Sequence, residues 1–164
     1  MAKIEDGCGP ESIYYCMKKD GRKKALSTLV KLCNVDKDNG TLTSRLVHAF
    51  VSCGYDVWTE QDMTWERVKD LLPTHHIIIS WWTLFFPEGE TKDWAGSHWS
   101  PITKLTETKV WLFDTDYDSI VAYPRATLDA LWTTPEMVGS VLHNEVRLAV
   151  IAKKKPIKRR KKNG

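Results

Sequence analysis

Apolar residues recur at helical spacing early in the chain and change period further on. Ile13, Tyr14 and Met17 follow Gly7-Cys8-Gly9-Pro10-Glu11, which predicts a loop running into a largely buried helix that Gly21 ends. Pro10 suits a first helical turn, where its missing N–H is not needed, and Glu11 suits the positive end of the helix. Leu26, Leu29, Val30 and Cys33 mark a second amphipathic helix over 24–33, and 36–40 reads as a turn. Leu46, Val47, Phe50 and Val51 form the apolar stripe of a third helix over 43–53, with Gly54 as its stop. A short strand follows at 55–59. Thr64 then caps a fourth helix carrying Trp65, Val68, Leu71 and Leu72, with Pro73 beyond it. From His76 to Trp82 the residues are β-branched and aromatic, which predicts a buried strand. Residues 86–97 read as a polar loop. Strands at 98–105 and 109–114 form a hairpin around Thr106-Glu107-Thr108, and 120–123 adds a further strand. A short helix over 126–132 turns Leu128, Leu131 and Trp132 inward, and 145–152 is the last strand. Helices come first and a mostly antiparallel sheet second, so the expected fold class is α+β.

A chain of 164 residues suits one domain, assigned to 1–152, followed by a tail. With 42% hydrophobic and 27% charged residues it is not a disordered chain, and eight tryptophans supply a core with aromatics to spare for a cleft. No apolar run approaches the roughly 18–20 residues of a membrane span. The N-terminus lacks the apolar stretch of a secretory signal. The net charge of +3 comes from the end of the chain. Residues 153–164 hold eight Lys/Arg and no acid, which leaves 16 basic against 21 acidic side chains, a body of −5. The tail is expected to be disordered. Its run at 153–162 suits a contact with a polyanion such as nucleic acid, a nuclear-localisation signal or a solubilising end. It carries no aromatics for base stacking.

The four cysteines, Cys8, Cys16, Cys33 and Cys53, include no C-x-x-C pair and no zinc-binding spacing with histidine. Without a secretion signal they read as free thiols of a reducing, cytoplasmic compartment. Cys16, Cys33 and Cys53 fall inside helical stripes as core residues. Cys8 stands between two glycines at a helix start, one of the two settings that hold a thiol partly as thiolate; the other is a nearby imidazole. On the local pattern a nucleophile and a plain buried thiol are equally compatible. Of five histidines, His98 alone has a carboxylate at a useful spacing. With the hairpin turning near Glu107, facing residue numbers sum to about 214, so His98 lies opposite Asp116 with Asp114 one diagonal step away. Either acid can accept the Nδ1 proton and turn the other ring nitrogen toward a nucleophile.

Cys8-Gly9-Pro10-Glu11-Ser12 opening a helix, Gly96-Ser97-His98-Trp99 opening a strand and Val110-Trp111-Leu112-Phe113-Asp114 closing the next resemble the C39-like cysteine peptidases of the papain-like superfamily. That group includes double-glycine leader peptidases fused to bacteriocin exporters, and stand-alone relatives. The resemblance spans roughly residues 4–133 and includes the short helix after Asp114. It implies a papain-like fold, a stand-alone domain and a Cys-His-Asp triad: Cys8 the nucleophile, His98 base then acid, Asp114 the orienter. It also implies cleavage of a peptide or protein amide bond through a thioester, with no metal or organic cofactor. Two positions depart from the pattern. Ala2 stands where the family carries a Gln that donates to the oxyanion, and Gly7 where the leader peptidases often have Asp. Two other readings stay open: a degenerate domain that binds peptide without cutting it, and a nucleic-acid-associated protein working through its tail. Trp81, Trp82, Trp94 and Trp99 surround the loop before His98 and divide between core and cleft wall.

Overall fold

The computed structural model describes residues 7–37, 40–83 and 96–156. Three helices come first: α1 (Cys8–Lys19), α2 (Leu26–Cys33) and α3 (Thr43–Ser52). Strand β1 (Tyr55–Glu60) and helix α4 (Trp65–Leu71) lead into β2 (His76–Thr83), β3 (Gly96–Leu105), β4 (Lys109–Asp114) and β5 (Ser119–Pro124). Helix α5 (Arg125–Leu131), the hairpin β6 (Thr133–Val138) and β7 (Val141–Val146), and β8 (Ala149–Lys154) complete the order. One six-stranded sheet runs β1-β8-β2-β3-β4-β5, and all its pairings are antiparallel. The fold is α+β, as the segregation of helices and strands implies.

The sheet is covered on both faces, which explains why the β2 run reads as continuously apolar. Ile78, Val150 and Ala152 pack with α1–α3 around Ile13, Leu29 and Phe50. The alternate residues Ile77, Ile79, Trp81 and Ile151 pack with Trp65, Val68, Leu128 and Trp132 of α4 and α5. Thr64 caps α4 by accepting the Arg67 N–H at 3.1 Å, as Ser and Thr do at helix starts.

Four expectations change. The α3 stripe is rotated: Leu46, Ala49 and Phe50 are buried, while Val51 is 48% exposed. The strand expected over 145–152 is two strands, because Arg147 adopts a left-handed φ of 46° between β7 and β8. Arg147 is held there by Asp129 at 2.7 Å, by the Met63 carbonyl and by the face of Trp132. The β6–β7 hairpin goes unforeseen, although Gly139-Ser140 is a two-residue turn and Gly139 has φ 64°. Finally, Lys153 and Lys154 continue β8 opposite Asp56 and Tyr55, where the tail was expected to begin. Lys154 Nζ donates to the Asp20 carbonyl at 2.7 Å, and Lys155 pairs with Asp56 at 3.1 Å. Residues 157–164 and 84–95, the latter including Trp94 and most of the polar loop expected over 86–97, lie outside the described residues.

Candidate active site

Helix α1 begins at Cys8, so the thiol belongs to the first turn itself rather than to a loop before it. Gly7 precedes it and gives the helix no side-chain cap. Pro10, Glu11 and Ser12 are buried, and Ser12 Oγ donates to the Trp99 carbonyl at 3.1 Å. That bond ties the first turns of α1 to the start of β3, one residue from His98. The other three cysteines are buried and free. Burial pushes Cys16 far up and Cys33 up to about 12, and it raises Cys53 as well.

The β3–β4 hairpin sets the histidine against its carboxylate. Its turn is tight, with Thr106 N–H donating to the Lys109 carbonyl at 2.9 Å. Leu105 faces Val110, and the register then shifts between Ile102 and Lys104, so that Ile102 faces Leu112. This bulge restores the spacing counted from the sequence, with facing numbers summing to 214. His98 Nε2 lies 3.2 Å from Asp114 Oδ1, and both residues are almost fully buried. The ring nitrogen on the acid is therefore Nε2, not the Nδ1 expected from the sequence.

Asp114 is over-determined. Its Oδ1 also accepts the Asp116 N–H at 2.9 Å, and its Oδ2 accepts the Tyr123 hydroxyl at 2.9 Å. Asp116 thus supports the loop through its backbone while Asp114 meets the imidazole. The Thr115 hydroxyl lies 3.4 Å from Nε2, and Trp81 meets the imidazole edge-on with ring centroids 5.9 Å apart. Trp81 is fixed in turn by donating Nε1 to Ser100 Oγ at 3.0 Å.

The Cys8 side chain lies close enough to His98 to act on its charge as well. Burial alone would lower the basicity of this imidazole. The bond to Asp114 and the nearby Cys8 outweigh burial and push it up to about 10. Burial works against the Asp114 carboxylate too, yet the bonds from His98 and Tyr123 hold it below the usual carboxylate range. Cys8, His98 and Asp114 are thus brought together, although 106 positions separate the first from the last.

Cys8 lines a cavity of about 300 Å³ with Thr41, Gly96, Trp99, Pro135 and Leu142. Trp99 serves both core and cleft: it is 5% exposed and donates Nε1 to the Thr41 carbonyl at 2.7 Å. Trp81 is core. The opposite wall comes from β6–β7. Glu136 there caps α3 by accepting the Thr43 N–H at 2.9 Å and the Thr43 hydroxyl. His98, Asp114 and Asp116 offer ligand atoms within 4.8 Å of one another, the one such three-residue group among the described residues. Both oxygens of Asp114 are already engaged, which disfavours a cation there.

No family model matches the chain, and no curated protein matches it. Solved structures do. The peptidase domain of Streptococcus ComA, a bi-functional ABC transporter of a quorum-sensing pathway, superposes with a TM-score of 0.68 at 16% identity, over 93% of this chain and 94% of that one. The fold is that of a C39-type peptidase domain. A double-glycine-motif protease from an AMS/PCAT transporter, solved with its leader peptide, gives a TM-score of 0.65 at 14% identity, over 94% and 89% of the two chains. The C39-like fold thus covers nearly the whole length, including β6–β8 beyond the segment that carried the sequence resemblance. Among the described residues no helix is long and apolar enough to cross a membrane.

Sequence reasoning missed Trp81, Thr115 and Tyr123 as supports of the histidine and its acid, and Thr41 and the β6–β7 hairpin as walls of the cavity. Trp81, Tyr123, Thr41 and the hairpin carry no spacing signal, because each reaches the site from a separate element, and Thr115 directly follows Asp114 with nothing in its position to mark it.

Proposed function

We propose that this domain is a thiol-dependent peptidase that cleaves a peptide or protein amide bond through a thioester on Cys8. The observation that carries the reading is the His98–Asp114 hydrogen bond at 3.2 Å, with Cys8 acting on the same imidazole and lining a cavity. With Nε2 facing Asp114, Nδ1 is the nitrogen left for the thiol. His98 takes the thiol proton, and the sulfur attacks the amide carbon. The C–S bond forms while the carbonyl π pair moves onto oxygen. Collapse of that oxyanion breaks the C–N bond, and the amine leaves with the proton from His98. Water then attacks the thioester with His98 as base, releasing the acid and the thiol. Asp114 orients the ring throughout and stabilises the imidazolium.

A leader peptide bound to one relative in fold supports a peptide substrate. Four free thiols suit a reducing, cytoplasmic setting. The rival reading, a domain that holds peptide without cutting it, rests on the alanine at position 2. One experiment decides between them. Iodoacetamide labelling followed by peptide mass mapping is expected to modify Cys8 well ahead of Cys16, Cys33 and Cys53, whose burial raises them. Cys8→Ala is expected to abolish turnover of a peptide library while leaving the melting curve in place. Equal labelling of all four thiols, or turnover that survives Cys8→Ala, would sink the proposal.

A further inference from the structure

The side chain at position 2 cannot donate a hydrogen bond, yet a tetrahedral oxyanion on a Cys8 adduct needs donors. Part of the supply is backbone. Cys8 opens α1, the first N–H groups of a helix have no intrahelical acceptor, and Gly7 before it offers no side-chain cap. A second donor is missing from the sequence pattern.

Thr41 has the attributes of that donor. It is 5% exposed, and its Oγ1 is buried without a hydrogen-bond partner, one of two such side-chain atoms among the described residues. Native proteins rarely leave a buried hydroxyl unsatisfied, because it loses its bonds to water and gains nothing. Thr41 is among the residues that line the cavity beside Cys8. It also lies against the helix start: a Cβ built on Gly9 would come 2.5 Å from Thr41 Oγ1 and 2.6 Å from its Cβ. Gly9 is therefore a glycine because the threonine occupies the space beside it. The backbone of Thr41 is clamped as well, since its carbonyl accepts the Trp99 indole N–H at 2.7 Å, and Trp99 is the neighbour of His98. A rigid, desolvated O–H with no partner, pressed on the residue after the nucleophile, is an unspent donor.

We propose that the Thr41 hydroxyl donates to the oxyanion formed when Cys8 attacks a substrate carbonyl, in the role that the glutamine holds in C39 peptidases. The inference rests on the peptidase reading above and assigns that site its second donor. The Cys8 sulfur forms a bond to the carbonyl carbon, the π pair becomes a lone pair on oxygen, and Thr41 Oγ1–H and a first-turn N–H receive that oxygen. Return of the pair expels the leaving group.

Two reagents separate this role from any other. p-Nitrophenyl acetate acylates a thiol through a tetrahedral oxyanion and releases p-nitrophenolate. Iodoacetamide alkylates the same sulfur by displacing iodide, with no oxyanion. Thr41→Val replaces the hydroxyl by a methyl of similar size. It is expected to slow the p-nitrophenolate burst on the order of 10²-fold, to leave the rate of Cys8 alkylation unchanged, and to hold or raise the melting temperature. Thr41→Ser is expected to restore most of the burst. Thr41→Ala removes the same hydroxyl without adding a methyl, so it probes the same loss even where the valine variant does not fold. A burst unchanged in both hydroxyl-free variants overturns the assignment. So does an equal slowing of acylation and alkylation, which would mean that Thr41 acts on the sulfur. A wild-type protein that alkylates at Cys8 yet gives no burst overturns the peptidase reading itself, and the donor role falls with it.

Discussion

Two places in this molecule hold the same three side chains in the same order. At one, Tyr123 donates to Asp114 at 2.9 Å and Asp114 meets His98 Nε2 at 3.2 Å. At the other, Tyr55 donates to Asp20 at 2.7 Å and Asp20 meets His76 Nε2 at 2.8 Å. The second pair has the shorter contact, so distance does not distinguish them. Surroundings do. His98 and Asp114 are sealed at 6% and 0% side-chain exposure, whereas His76 and Asp20 stand at 20% and 19%. His98 also feels Cys8, which lines a cavity. The space beside His76, about 270 Å³, is bordered by Lys19 and Lys154 and by no cysteine. The thiol that feels Asp20 is Cys16, fully buried and pushed far up by burial. A Tyr-Asp-His set is therefore a clamp by default. On the proposed reading it becomes chemistry where the imidazole also faces Cys8 and the cavity that Cys8 lines.

The sharpest test of that difference exchanges each carboxylate for its amide. Asp114→Asn is expected to lower peptide turnover on the order of 10⁴-fold, the loss seen when the orienting acid of a triad becomes an amide. An amide can offer Nε2 a hydrogen instead of taking one, which moves the imidazole proton to the nitrogen that must receive the thiol proton. Asp20→Asn is expected to leave turnover within about twofold, a change within the range of ordinary surface substitutions. Comparable losses from the two changes would erase the distinction.

The next effect is on stability against pH. His98 is pushed from an ordinary 6.5 up to about 10, so its contribution is fully present below pH 6.5 and is lost as pH rises through about 10. Asp114 is lowered from 3.8, so its contribution is present above that value and is lost as pH falls below it. The pair is strongest between those limits. The melting-temperature gap between the wild type and His98→Gln is expected to shrink from pH 6.5 to pH 10 by roughly 8 °C or more, at about 1.4 kcal/mol per pKa unit and about 2–4 °C per kcal/mol for a domain of this size. A gap that stays flat across this range contradicts a charged imidazole in the folded state.

The contrast also marks what the amino-acid sequence can say. The Asp114–His98 pairing was legible because a hairpin is local, and its register follows from one turn. The count of 214 holds at Ile102 and Leu112 only because the register shifts by one between Ile102 and Lys104. The place of Cys8 at a helix start was legible from the glycines and proline around it. The Asp20–His76 pair was not, since 56 positions and two unrelated elements separate its members. Tyr123 and Thr41 were invisible for the same reason. Periodicity reports which face of an element is buried, not what lies across the gap. The β6–β7 hairpin hid because its strands are largely exposed, with Val138, Val141 and Leu142 all above 50%. Without one buried face, the apolar-polar alternation that marks a half-buried strand is lost.

The smallest effect completes the comparison, at the Asp20 clamp. Burial opposes the Asp20 carboxylate, and the bonds from Tyr55 and His76 hold it below its ordinary 3.8. It also caps the C-terminal end of α1, where the helix dipole disfavours negative charge. In Asp20→Asn the amide oxygen can still accept the Tyr55 hydroxyl, and what is lost is one charge-assisted bond to a partly exposed imidazole. Such pairs contribute about 0–1 kcal/mol, so the melting temperature at pH 7 is expected to fall by no more than roughly 4 °C. The loss should shrink in high salt. It should also close as pH falls below 3.8, because the wild-type carboxyl then takes up its proton. Asp114→Asn strips the charge partner from a sealed imidazole and belongs in the range of about 3–5 kcal/mol. Should Asp20→Asn destabilise the fold as much, burial would not be what separates the two sets, and the Tyr55 clamp would have to be regarded as a second structural centre equal to the one beside Cys8.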